Sequence, residues 1–107
     1  MTTLGAALDE LIATIGARAR GDPATSYTAA LLAEGPRRCA RKLGEEAIET
    51  VLAAVSGDGD ALTKEAADLL YHLGVTLHAC GVSGEAVAAE LAARRGRSGL
   101  EEKAERG

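Results

Sequence analysis

An all-α fold, a compact bundle of about five helices, follows from three features of the sequence. Apolar residues recur at helical spacing almost throughout. No segment alternates apolar and polar over a useful length, so strands have no pattern to rest on. Between the periodic stretches, Ser, Asp, Gly and Pro stand where helices start and stop.

The first helix is marked by Leu4, Leu8, Leu11, Ile12 and Ile15, an i, i+4, i+7, i+8 stripe. It is expected to end near Gly21, with Pro23 just beyond. Ser26 caps a short second helix over residues 28–34, closed by Gly35. Pro36 takes the favoured first position of a third helix that runs to about Ser56. Gly57-Asp58-Gly59-Asp60 is a turn whose aspartates cap a fourth helix from about Ala61 to Cys80. Gly81 ends that helix, and Ser83 caps a fifth that reaches about Arg95. Residues 1–95 thus form one helical domain. From Gly96 the chain is rich in Gly, Ser and charge without an apolar stripe, so residues 96–107 read as a flexible or substrate-ordered tail of the same domain.

The chain has 107 residues, 47% of them hydrophobic, enough for a single core. Domains of this size bury a modest share of their surface, and self-association is a common remedy. With no Phe or Trp and only two Tyr, the core falls to Leu, Ala, Val and Ile, which suits closely approaching helices and a core shared between subunits. A formal charge of −4 speaks against a general nucleic-acid binder. Phosphorylated ligands stay compatible with that charge if a divalent cation lies between. Cys39 and Cys80 have no metal-ligand spacing and read as free thiols. The N-terminus lacks a signal-peptide pattern, and no apolar run approaches the roughly 20 residues of a membrane span. A cytoplasmic location with no membrane partner is expected.

Chemistry concentrates in two acidic clusters. Lys42, Glu45, Glu46 and Glu49 fall within an arc of roughly 100° on the third helix. On the fourth helix Lys64, Glu65, Asp68 and His72 share one side. An antiparallel pairing through the short turn brings the clusters together. Carboxylates gathered this way repel one another, and a divalent cation resolves the repulsion. Mg2+ prefers carboxylate and water oxygens and bridges them to phosphates, where it can activate water for attack at phosphorus. The competing reading is a solvated acidic face, with Lys42–Glu46 and Lys64–Asp68 as plain i, i+4 ion pairs. Residue spacing alone leaves both open.

At these residues the sequence closely resembles the phosphoribosyl-ATP pyrophosphohydrolase family, within the all-α, MazG-like nucleotide pyrophosphohydrolases. That superfamily is marked by EExxE followed downstream by ExxD, here Glu45-Glu46-Ala47-Ile48-Glu49 and Glu65-Ala66-Ala67-Asp68. Three further segments resemble the narrower family: Ser26-Tyr27-Thr28-Ala29, Lys42-Leu43-Gly44-Glu45-Glu46-Ala47, and the run from Glu65 to Leu73. The tail, Ser98-Gly99-Leu100-Glu101-Glu102-Lys103-Ala104, resembles a family ending.

The resemblance implies a Mg2+-dependent hydrolase, with Mn2+ as a substitute, that converts phosphoribosyl-ATP to phosphoribosyl-AMP and pyrophosphate in histidine biosynthesis. It implies Glu46, Glu49, Glu65 and Asp68 as metal ligands and Glu45, Glu46 and Glu49 as the catalytic carboxylates. Glu45 is then a further ligand or orients the attacking water. Lys42, Lys64, His72, Ser26 and Tyr27 are expected to bind substrate; for Arg94, Arg95, Arg97 and Lys103 a solvated tail is the favoured reading, and a phosphate clamp its alternative. Among the first five, structural roles compete: ion pairs for the lysines, a cap for Ser26, core filling for Tyr27. A homodimer with the site near its interface is also implied. Two rivals remain: a house-cleaning hydrolase of noncanonical nucleoside triphosphates, and a non-catalytic helical interaction module.

Overall fold

A computed structural model describes residues 1–96 and 99–106. Six helices are present among them: α1 Leu4–Arg18, α2 Tyr27–Ala33, α3 Pro36–Ser56, α4 Gly59–Ala79, α5 Gly84–Ala93 and α6 Gly99–Arg106. The described residues contain no strand, as the all-α reading requires.

Local chemistry accounts for the boundaries. The Thr3, Ser26 and Ser83 hydroxyls each accept a first-turn N–H, from Ala6, Ala29 and Ala86, all at 3.1 Å. Asp58 accepts from both Asp60 and Ala61 at 3.1 Å, so α4 starts two residues earlier than expected, with Asp60 in its first turn. Helix α1 stops at Arg18 rather than near Gly21, because the Gly21 N–H folds back onto the Arg18 carbonyl at 2.9 Å. Gly57 closes α3 at φ 78°, a left-handed conformation that costs glycine nothing and permits the abrupt reversal into α4.

Helix α6 is the clearest departure from the sequence reading. Its segment lacks an apolar stripe, but Leu, Glu, Lys, Ala and Arg are strong helix formers in their own right. Intrinsic propensity favours the helix where amphipathic periodicity offers no signal.

Helices α3 and α4 form an antiparallel hairpin, the longest seam of the molecule. Two threonines stitch it. The Thr50 hydroxyl lies 2.7 Å from the Glu46 carbonyl on its own helix and 3.2 Å from the Glu65 carbonyl across the seam. Thr76 repeats the arrangement from α4, 2.7 Å from the His72 carbonyl and 3.2 Å from that of Cys39. The two stitches keep a single register over about 16 Å of helix and bracket the residues expected to do chemistry. Helices α1 and α2 close one side of the hairpin. Ile15, Leu31, Cys39 and Val75 are buried where the four helices meet, with Leu11, Leu32, Tyr71 and Ala79 against them. Cys39 behaves as a small core side chain, its thiol donating to the Leu31 carbonyl. At Gly74 a methyl group would sit 2.7 Å from Ile15 Cδ1, so the missing side chain is what lets α1 lie close to α4.

Candidate active site

The hairpin brings most of the expected carboxylates together. Ligand oxygens of Glu46, Glu49 and Glu65 all lie within 4.8 Å of one another. Asp68 stands outside that tightest group, yet its charge acts on both Glu46 and Glu65. Glu45 is drawn aside: its Oε2 is 3.3 Å from Lys42 Nζ, an i, i+3 pair. Neither ion pair of the competing reading, Lys42–Glu46 or Lys64–Asp68, forms among the described residues. Lys64 lies exposed on the α4 face next to Asp68.

Electrostatics register the crowding. Glu46 is pushed up to about 7, first by burial, then by its hydrogen bond to Glu49 and by the charges of Glu49, Asp68 and Glu65. Glu65 is raised by burial and by Glu49. One oxygen of each, Oε2, is buried with no hydrogen-bond donor. Carboxylate oxygens that are enclosed, unpartnered and mutually repelling suit a cation, and an all-oxygen donor set suits a hard one such as Mg2+. The donor set therefore fits the expected metal.

One turn beyond Asp68, α4 and α2 gather an aromatic cluster. His72 is 6% exposed, and its Nδ1 is buried without a partner. Its ring meets Tyr71 edge-on with centroids 5.0 Å apart and Tyr27 edge-on at 6.3 Å. Burial and the nearby Lys42 charge hold the imidazole below its ordinary pKa, against Asp68 and Glu45, so it is neutral at physiological pH. Lys42 is held above the usual lysine range by Glu45 first and then by Tyr27 and Glu46.

Tyr27 is not core filler: it is 57% exposed, its ring stacked on Tyr71 at 6.4 Å. Ser26 is occupied as the α2 cap. Arg94 pairs with Glu90 at 3.0 Å, Arg95 and Lys103 are exposed, and Arg97 lies outside the described residues. Sequence reasoning did not place Thr50 or Tyr71 in the site. Tyr71 hydrogen-bonds Thr28 across α2 and α4, and its scarcity in so aromatic-poor a chain was the available signal.

Fold and site together define a class: an all-α bundle whose central hairpin gathers carboxylates into a set of oxygens that suits a divalent cation. Residues 8–95 match the family described as phosphoribosyl-ATP pyrophosphohydrolase. A relative from Jannaschia sp. (strain CCS1) is 58% identical over 99 residues, covering 92% of this chain and 97% of its own. One from Caulobacter sp. (strain K31) is 57% identical over 106 residues, 99% of this chain and 98% of its own. Both are named phosphoribosyl-ATP pyrophosphatase. The chain belongs to the phosphoribosyl-ATP pyrophosphohydrolase family. That membership places it among enzymes, hydrolases that act on a pyrophosphate bond.

Proposed function

We propose that the chain hydrolyses 1-(5-phosphoribosyl)-ATP between its α and β phosphates, releasing 1-(5-phosphoribosyl)-AMP and pyrophosphate, with Mg2+ or in its place Mn2+. This is the second step of histidine biosynthesis, and a cytoplasmic setting follows from it. No helix of the described residues is long and apolar enough to cross a membrane. The observation that carries the reading is the pair of buried, donorless carboxylate oxygens on Glu46 and Glu65, within the residues 8–95 that match the family.

Glu46, Glu49 and Glu65 would hold the metal, with Asp68 completing the set. When bound, Mg2+ supplies neutralisation of phosphate charge and polarisation of the water and phosphate oxygens. Glu45, paired with Lys42, would orient the attacking water and accept its proton at a carboxylate oxygen. Lys42 and Lys64 would supply cationic contacts to the phosphates. Ser26 keeps the start of α2, and so Tyr27, in place.

Side-by-side turnover of phosphoribosyl-ATP, dUTP and dCTP with Mg2+ tests the assignment. Phosphoribosyl-ATP is expected to be the preferred substrate. A strong preference for either deoxynucleotide would move the chain to the house-cleaning enzymes, and no turnover of any would favour the interaction module.

The reading includes a homodimer. Ile48, Val51, Leu52 and Val55 line the outer face of α3 and are 64%, 60%, 60% and 77% exposed. On the other side α1, α4 and α5 bound an apolar groove of about 350 Å³ lined by residues such as Leu8, Leu70, Leu77 and Leu91. Contiguous apolar surface on a small domain supports a subunit interface. Leu52→Asp is expected to shift the protein from dimer to monomer in sedimentation velocity. A variant that sediments as the wild type does would place the interface elsewhere.

A further inference from the structure

The chain holds two tyrosines, no phenylalanine and no tryptophan, and one of its two histidines joins both tyrosines in a single cluster. That concentration calls for an explanation, because only Tyr71 packs against the core while Tyr27 stands exposed beside it. Tyr71 is half-buried and anchored by the Thr28 hydroxyl. His72 is nearly enclosed and braces both rings edge-on. Tyr27 rests on Tyr71 with most of its surface open to solvent. The assembly is a rigid backing for one exposed aromatic ring. His72 Nδ1 is a buried polar atom left over at its base.

His72 follows Asp68 by one turn of α4, and its ring meets Tyr27 at 6.3 Å, so the platform adjoins the carboxylates. Tyr27 is the exposed ring nearest the cluster, and exposed aromatic rings bind bases through their π-faces, so a nucleotide with its phosphates at the carboxylates can set its base on α2.

We propose that Tyr27 is the stacking platform for the purine base of the substrate, with Tyr71 and His72 as the residues that position it. The proposal rests on the adenine nucleotide substrate of the preceding section and assigns what recognises its base.

Steady-state kinetics of the Mg2+-loaded enzyme supply the test. Tyr27→Leu is expected to raise KM for phosphoribosyl-ATP about tenfold with little change in kcat, as loss of one base–aromatic contact predicts. Tyr27→Phe keeps the ring and is expected to restore KM to within about twofold of the wild type. Tyr71→Phe, which cuts the Thr28 bond, should raise KM by a smaller factor and leave kcat alone. Emission offers a second readout, since without tryptophan the fluorescence comes from these two tyrosines. AMP should quench it and ribose 5-phosphate should not. An unchanged KM in Tyr27→Leu would overturn the proposal, as would equal quenching by both ligands. A change of oligomeric state in Tyr27→Leu without a change in KM would also overturn it, marking an interface residue. Failure of the substrate assignment looks different: the wild type would not turn over phosphoribosyl-ATP, while AMP quenching would still report on the platform.

Discussion

Replacing Glu46 by Gln is expected to lower turnover of phosphoribosyl-ATP by at least about 100-fold while raising the melting temperature of the metal-free protein. The two effects have one origin. Glu46 carries a buried oxygen without a donor and crowds against Glu49 and Glu65, with Asp68 adding its charge. Loss of even an outer contact of a metal site commonly costs 10–100-fold, so loss of a direct ligand should reach or exceed the upper end of about 100-fold. Without metal, the amide removes a like charge and can donate to a neighbouring carboxylate. Relief of such repulsion is worth a few tenths of a kcal/mol upward, or about 3 °C in a domain of this size. Thermal melts in EDTA and in excess Mg2+ check the sign: the variant should melt above the wild type in EDTA and gain less from Mg2+. A solvated acidic face predicts neither change, since an exposed glutamate tolerates the amide and binds no ion tightly.

Mg2+ affinity is expected to weaken about tenfold for each pH unit below 7 and to level off above it. Glu46 is raised to about 7 in the metal-free protein, chiefly by burial. Below that pH a proton occupies the site and must leave before the metal binds. The same shift sets the stability of the metal-free protein. Between the ordinary carboxylate pKa near 4.5 and about 7, the folded state binds a proton that the unfolded chain does not. Unfolding then releases a proton, so metal-free stability falls as pH rises through this window and is flat above it. Glu65, raised for similar reasons, acts in the same direction. With saturating Mg2+ the slope should vanish above about pH 5, because the metal takes the place of the proton and the gain in metal affinity offsets the loss of metal-free stability. Calorimetric titrations and urea melts from pH 5 to 8 would reveal both slopes. Stability of the metal-free protein that rises with pH across this range would contradict the coupling.

The features legible in the sequence were the local ones. Ser26, Pro36, Asp58 and Ser83 announce helix starts because a cap acts within three residues of itself. The carboxylates were legible as two clusters because helical periodicity assigns faces without any tertiary information. How the clusters meet depends on contacts between helices. The Thr50 and Thr76 hydroxyls, which lock α3 to α4, could equally have bonded only within their own helices. Lys42 had two glutamates within reach, and the crowding that occupies Glu46 leaves it to Glu45. Tyr27 has two readings in the sequence, substrate contact and core filling, and the exposure that excludes the second depends on how its ring rests on Tyr71 and His72. Helix α6 was missed for the opposite reason, since propensity without periodicity left nothing to read.

The claim on which the rest depends is that the α3–α4 carboxylates form one divalent-cation site. Anomalous scattering from crystals soaked in Mn2+ near pH 7.5 addresses it directly. The account predicts a strong peak in the groove, about 2.2 Å from carboxylate oxygens of Glu46, Glu49 and Glu65. A map with no peak among those residues, or with its manganese bound elsewhere on the chain, would contradict it.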